Sequence, residues 1–255
     1  MTEKKYVLSS LNNALKVLDL LSIKDNLGVA EISKILDIDK TTVFKIMYTL
    51  HAKDFVFKTT EKKYKLGVKF FNYGNLVVER QSVIEISKPF MKTVSTHTGQ
   101  SVFMGILNFN NQVIILHKEE GDSPNSIKTR IGYELAPHCV GMGKVLLAYL
   151  NETKLESILK EYNFRNYCPN TITTRSELLA ELELVRKQGY AQDHNERYIG
   201  HSAFAAPVFD DKKTCIAAVS IVFPSELFGQ HNEEYIQETL WASKEISRNL
   251  GYSLS

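Results

Sequence analysis

Long apolar runs are missing from this 255-residue chain. No stretch reaches the roughly 20 residues that a bilayer-crossing helix needs, so no membrane partner is expected. The amino terminus, MTEKKYVLSS, has lysines but no apolar segment behind them, which argues against a secretory signal. Cysteine is scarce too: Cys139, Cys168 and Cys215 are widely separated and odd in number. That usage fits reduced thiols in a cytoplasm, not a disulfide frame or a paired-cysteine metal knuckle. Catalytic signatures are also lacking. There is no GxSxG elbow, no HExxH pair and no recognisable Cys/His arrangement, so neither a catalytic residue nor a metal or cofactor is assigned.

What is present is an ordinary globular composition, 44% hydrophobic and 24% charged, in a chain long enough for one large domain or two modest ones. The net charge of +2 hides an asymmetry. Residues 1–80 hold 13 Lys and one Arg against nine acids, a surplus of +5, while residues 81–255 carry −3. Residues 40–69 alone have eight Lys against Asp54 and Glu61. A basic first third joined to a mildly acidic remainder suggests a polyanion-binding module coupled to a domain with another task.

Acids are absent between Lys40 and Leu50 in the stretch DIDKTTVFKIMYTL. Asp39 can cap a helix there, and Val43, Ile46, Met47 and Leu50 form one apolar stripe. The opposite face offers only hydroxyls and cations: Thr41, Lys45 and Tyr48, with Thr42 and Thr49 beside them. A solvated face usually mixes charge signs. Two helices are expected before it, over 10–23 with Ser10 as cap and over 28–36. In the first, Leu11, Ala14, Leu15, Leu18 and Leu21 share a face. FVFK (55–58) and KYKL (63–66) flank TTEK and read as a hairpin with Lys58, Lys62 and Lys63 near its tip. Three helices and a basic hairpin make a winged helix-turn-helix, whose third helix enters the major groove while the wing contacts phosphate. The expected DNA contacts are Lys40, Thr41, Thr42, Lys45, Tyr48, Lys58, Lys62 and Lys63.

These segments resemble the isocitrate lyase regulator (IclR) family of bacterial transcription factors. The resemblance runs through SSLNNALKVLDLLS, AEISKILDIDKTTVFKIMYTL, YKLG, APHCVGMGKVLLAYL, TITTRSELLAELELVRKQGYAQD, GHSAFAAPVFD and AAVSIVFP, nearly the whole chain. The family often has Arg where Asn13 and Lys45 stand, so the operator sequence does not carry over.

After the wing, helices are expected over 68–79 and 83–97, with Pro89 interrupting or restarting the second. Strands follow over 101–107, 112–118, 125–131, 201–209 and 214–223. Helices begin at GMGK and at NETK, follow the Thr174/Glu177 capping box as far as Gly189, and cover 232–250. The fold class is therefore α+β. The winged helix-turn-helix occupies 1–67 and linker helices 68–97. The resemblance makes residues 98–255 a GAF-like antiparallel sheet with flanking helices around a ligand pocket.

GMGK is not a Walker loop, because His138 and Val145 stand where the pattern needs Gly and Ser or Thr. DHNE (193–196) and His201 gather titratable groups without a metal framework. The resemblance implies an effector pocket at Gly141, Asp193 and Ser220. Met142, Ala203 and Val222 stand where the family commonly has smaller or more polar groups, and strand alternation adds His201. The expected effector is a small organic acid with an apolar body, its carboxylate at the Gly141 amide and Ser220. The resemblance also implies that the DNA module takes part in dimerisation, leaving a tetramer through the larger domain open. The rival readings are an enzyme built on the C-terminal domain and a protein-binding scaffold with a vestigial pocket.

Overall fold

The computed structural model describes residues 7–79, 82–122 and 129–253. The chain divides into two compact units, Met1–Arg80 and Gln81–Ser255.

The first unit runs α1 (Ser9–Ile23), α2 (Val29–Leu36), α3 (Lys40–Ala52), β1 (Val56–Lys58), β2 (Tyr64–Leu66) and α4 (Lys69–Glu79). Its core gathers Val17, Leu21, Leu27, Ile32, Val43, Ile46, Met47, Val56 and Tyr64. Ser10 does not cap α1. The helix starts earlier, and Leu8 occupies the cap position with no side-chain bond. Nor does the full leucine stripe face inward: the core takes Val17 and Leu21, while Leu11 and Leu15 stay half exposed. A helix with apolar residues on two adjacent stripes can bury only the one its neighbours cover.

Asp37 leaves α2 in the left-handed region at φ 52°. The Ser33 hydroxyl donates to the Ile38 carbonyl at 2.7 Å, which seats Ile38 against the core. The Asp39 carboxylate then accepts from the Thr42 amide at 2.9 Å, and the Thr42 side chain first and its amide second hold the carboxyl below its usual range. β1 and β2 pair antiparallel with Phe57 opposite Lys65. The Tyr64 amide donates to Leu27 at 2.9 Å and accepts back through its carbonyl, pinning the hairpin to the α1–α2 loop.

The larger unit runs α5 (Ser82–Thr98), β3 (Ser101–Leu107), β4 (Val113–Glu119), β5 (Glu134–Leu135), α6 (Gly141–Ala148), α7 (Glu152–Leu159), α8 (Arg175–Gln188), β6 (Ala191–His194), β7 (His201–Phe209), β8 (Cys215–Pro224) and α9 (Asn232–Asn249). Its six strands form one antiparallel sheet in the order β5-β4-β3-β8-β7-β6. Phe103, Ala205 and Ala218 face the cluster made by α6, α7 and α8. On the alternate face, Phe223 meets Tyr235 of α9 at 4.8 Å.

Three expectations change. Pro89 sits inside one continuous helix, α5. Proline forfeits one backbone bond, and buried Ile84, Met91 and Val94 on either side keep the helix docked. The strand expected over 125–131 falls mostly outside the described residues, and 129–131 form no strand. The edge strands β5 and β6 were not anticipated. α8 matches expectation at both ends: Thr174 and Glu177 exchange backbone-to-side-chain bonds, and Gly189 closes it at φ 83°.

Candidate functional site

The outer stripe of α3 is Thr41, Phe44, Lys45 and Tyr48, spaced i, i+3, i+4, i+7 and all exposed. Sequence reasoning missed Phe44, an aromatic ring 53% exposed between the two polar contacts on either side. Lys40 is exposed at the first helical position, and Thr42 is half-buried at the cap. The Thr49 hydroxyl is already spent on the Lys45 carbonyl at 2.8 Å. In the hairpin, Lys58 and Lys62 are exposed and Lys63 is half-buried. Lys58 lies 5.7 Å over the Tyr64 ring and Lys65 5.4 Å over Phe57, so apolar stems and rings hold the ammonium groups near the strands.

In the larger unit, all seven expected pocket residues, Gly141, Met142, Asp193, His201, Ala203, Ser220 and Val222, line a single cavity. The cavity has a volume of about 50 Å³. Register explains the convergence. Ala203 pairs with Val222 across β7 and β8 and with Asp193 across β6 and β7, and Phe103 faces Ser220 from β3. Phe103, Ile115, Leu135 and Val140 supply further apolar wall. Ser202 adds to the wall, but its hydroxyl is engaged by His194 Nδ1 at 2.8 Å and Ser225 at 2.9 Å.

The two glycines of GMGK serve different ends. A Cβ on Gly143 would lie 2.2 Å from the Pro137 carbonyl oxygen, so that glycine permits close backbone packing. A Cβ on Gly141, which lines the cavity, would press on the Ala205 Cβ at 3.1 Å. No side chain caps α6 at Val140.

Lys144 is a buried cation, 1% exposed, paired with Glu196 at 2.7 Å and Glu181 at 2.9 Å. Burial disfavours its charge, but Glu196 and Glu181 outweigh that and raise its pKa. Asp193 lies beside this cluster and accepts from the Glu196 amide at 3.0 Å. Burial first and Glu196 second push its carboxyl to about 7, against the pull of Lys144. Glu196 is also raised by burial, again against Lys144. Among the described residues, no group of three His, Cys, Asp or Glu is placed to share a metal ion.

Arg197, Tyr198 and Thr129 also line the cavity and were not anticipated. The Arg197 guanidinium sits 3.9 Å over the Tyr167 ring and 4.8 Å from that of Tyr198. Its Nε is buried without a hydrogen-bond partner. The loop bearing Tyr167 is tied to the Arg197 segment through the Thr171 hydroxyl, which donates to the Glu196 carbonyl at 2.6 Å. Trp241 of α9 packs edge-to-face on Phe90 at 6.0 Å and stays 39% exposed.

A basic helix-turn-helix unit and a sheet unit enclosing a small, largely apolar cavity together define the build of a DNA-binding transcription regulator. Family models match on both parts: the IclR helix-turn-helix domain over residues 10–59 and the bacterial transcriptional regulator IclR C-terminal domain over 75–248. The chain belongs to the IclR family of bacterial transcriptional regulators. It is 30% identical to the HTH-type transcriptional regulator XynR of Escherichia coli over 249 residues, 96% of this chain and 98% of that protein. It is also 30% identical to the HTH-type transcriptional regulator KdgR of Dickeya chrysanthemi over 246 residues, 96% of this chain and 80% of that protein. The Thermotoga maritima IclR crystal structure superposes with a TM-score of 0.80 at 30% identity, covering 95% of this chain and 99% of that one.

Proposed function

We propose that this protein binds an operator through α3 and the β1–β2 wing, and that a small organic acid in the larger unit's cavity sets that binding. The observation carrying the effector reading is the convergence of Gly141, Met142, Asp193, His201, Ala203, Ser220 and Val222, drawn from four elements, on one cavity. Met142, Ala203 and Val222 supply the apolar wall, while the Gly141 amide region, Ser220, His201 and Asp193 supply the polar contacts. Lys45 takes a base edge or phosphate, with Thr41, Thr42, Tyr48 and Lys40 beside it. The wing cations Lys58, Lys62 and Lys63 take phosphate. One helix-turn-helix reads one half-site, so a two-fold dimer on an inverted repeat doubles the contacts, with half-sites about 34–36 Å apart or a multiple. The exposed Leu8, Leu11 and Leu15 along α1 support a self-association surface in this unit.

The test is calorimetry with hydroxy, oxo and aromatic acids, run beside operator binding. Ala203→Leu fills the cavity and abolishes acid binding while operator affinity stays as in the wild type. Acid binding that survives this change places the site elsewhere. A monomer in sedimentation at micromolar concentration, free and on DNA, overturns the dimer.

A further inference from the structure

We propose that Arg197 is the anion anchor of the cavity, so that the effector enters as a hydroxy- or oxo-carboxylate with its acid end on the guanidinium. The proposal rests on the reading that the cavity takes a small organic acid. It reverses the orientation expected from sequence, in which the carboxylate met the Gly141 amide.

Charge decides the orientation. Among the described residues, Arg197 is the one Lys or Arg that lines the cavity, Lys144 stands near Asp193, and Arg165 lies 5.2 Å over the Tyr167 ring outside the lining. Lys144 is fully committed, with Glu181 and Glu196 both within 2.9 Å of its ammonium. Asp193 joins them, so three carboxyl groups surround one buried lysine. A carboxylate entering at that end meets a surplus of acid, offset by only the partial charge of a two-turn helix. Arg197 has no carboxylate within ion-pair distance among the described residues, and its Nε is buried with nothing to donate to. A buried donor without an acceptor is an unmet hydrogen bond that a ligand oxygen can satisfy.

Geometry adds preorganisation. The guanidinium is held by the rings of Tyr167 and Tyr198. An arginine fixed in this way presents its planar fork for bidentate contact with little side-chain entropy left to lose. The other polar groups then fall to the second function of the ligand. The Ser220 hydroxyl, buried in the wall, and the Asp193 carboxyl each suit a hydroxyl or oxo oxygen. The lining between is apolar: Phe103, Ile115, Leu135 and Val222.

The experiment is calorimetry on the full-length protein with four acid–amide pairs: lactate and lactamide, pyruvate and pyruvamide, mandelate and mandelamide, 4-hydroxybenzoate and 4-hydroxybenzamide. The wild type is compared with Arg197→Met, Arg197→Lys and Ala203→Leu. The expected result is at least one acid bound with its amide weaker by about 10-fold or more. In Arg197→Met the acid weakens by roughly 10- to 100-fold, the amide stays within about threefold, and Arg197→Lys recovers part of the loss. Acid affinity and acid-over-amide preference that persist in Arg197→Met, while Ala203→Leu abolishes binding, overturn the anchor and leave the cavity reading standing. No acid binding, or binding indifferent to Ala203→Leu, overturns both. If Arg197→Met fails to fold, Arg197→Lys decides alone: it must reduce the acid-over-amide ratio, and an unchanged ratio sinks the proposal.

Discussion

The two units place their charges in opposite ways. In the first, the cations lie on the surface: Lys40, Lys45, Lys58 and Lys62 are exposed, and Asp39, whose pKa is lowered, is a helix cap. In the second, the charges that matter are inside. Lys144, Glu196 and Asp193 are buried, and burial is the first cause of the shift at both carboxyls. Exposed charges are screened by salt, whereas buried ones escape screening and answer to protons. The DNA-binding unit should therefore respond to ionic strength and the cavity unit to pH.

The strongest test of that contrast is Lys144→Met. It leaves buried Glu196 and half-buried Glu181 without their cation and should destabilise the larger unit by about 3–5 kcal/mol. Scanning calorimetry should show that unit's transition falling. A change that also replaces Glu181 and Glu196 by Leu should recover much of the loss, because the one buried carboxyl left, Asp193, can stay protonated. A smaller effect is expected on the surface. Lys45→Ala should cost about 1–3 kcal/mol of operator affinity and relax the sequence preference, measured by fluorescence anisotropy on duplex variants. Affinity and preference both unchanged would remove α3 from the recognition role.

Protons provide the third test. The Asp193 carboxyl is raised to about 7 in the fold from an ordinary value of 3.8. The native state then holds a proton that the unfolded chain gives up, so this group's contribution is full below about pH 4 and is lost as pH rises to about 7. In melting curves across that window, Asp193→Asn should gain on the wild type as pH rises and level off above it. A constant difference would mean that Asp193 does not titrate there. Smallest is Lys62→Ala, which should weaken all duplexes alike and lower the salt slope by about one unit. A pH-dependent loss in place of a salt-dependent one would break the comparison.

Legibility in the sequence followed the same divide. α3 was readable because its signals are local: Asp39 caps it, and Val43, Ile46 and Met47 form its buried stripe. The cavity positions were reached through motif resemblance and strand alternation, not through local chemistry. What no local pattern could give was the Lys144–Glu196 pair, whose partners lie 52 residues apart, or Arg197, whose rings come partly from a separate loop. β6 (Ala191–His194) was hidden because AQDH comes only one residue after Gly189 and has no β-branched residue to mark it. Phe44 carries neither the charge nor the hydroxyl that marks the rest of the outer stripe of α3.

The glycines that open α6 bear on how this regulator could change its ligand over generations. Gly143 faces the Pro137 backbone, which has no smaller form, so that position is closed to drift. At Gly141 the tight neighbour is the methyl group of Ala205, with main-chain atoms of Ala205 and Ala191 at ordinary contact distance. Bulk can be traded between those two sites, a methyl gained on the helix against one lost from β7, without moving either main chain. Such an exchange would reshape one wall of the cavity by about the volume of a single carbon. The start of α6 thus joins one immovable point to one adjustable one, and new effector preferences would arise by repeated small trades at Gly141 and Ala205, leaving the scaffold as it is.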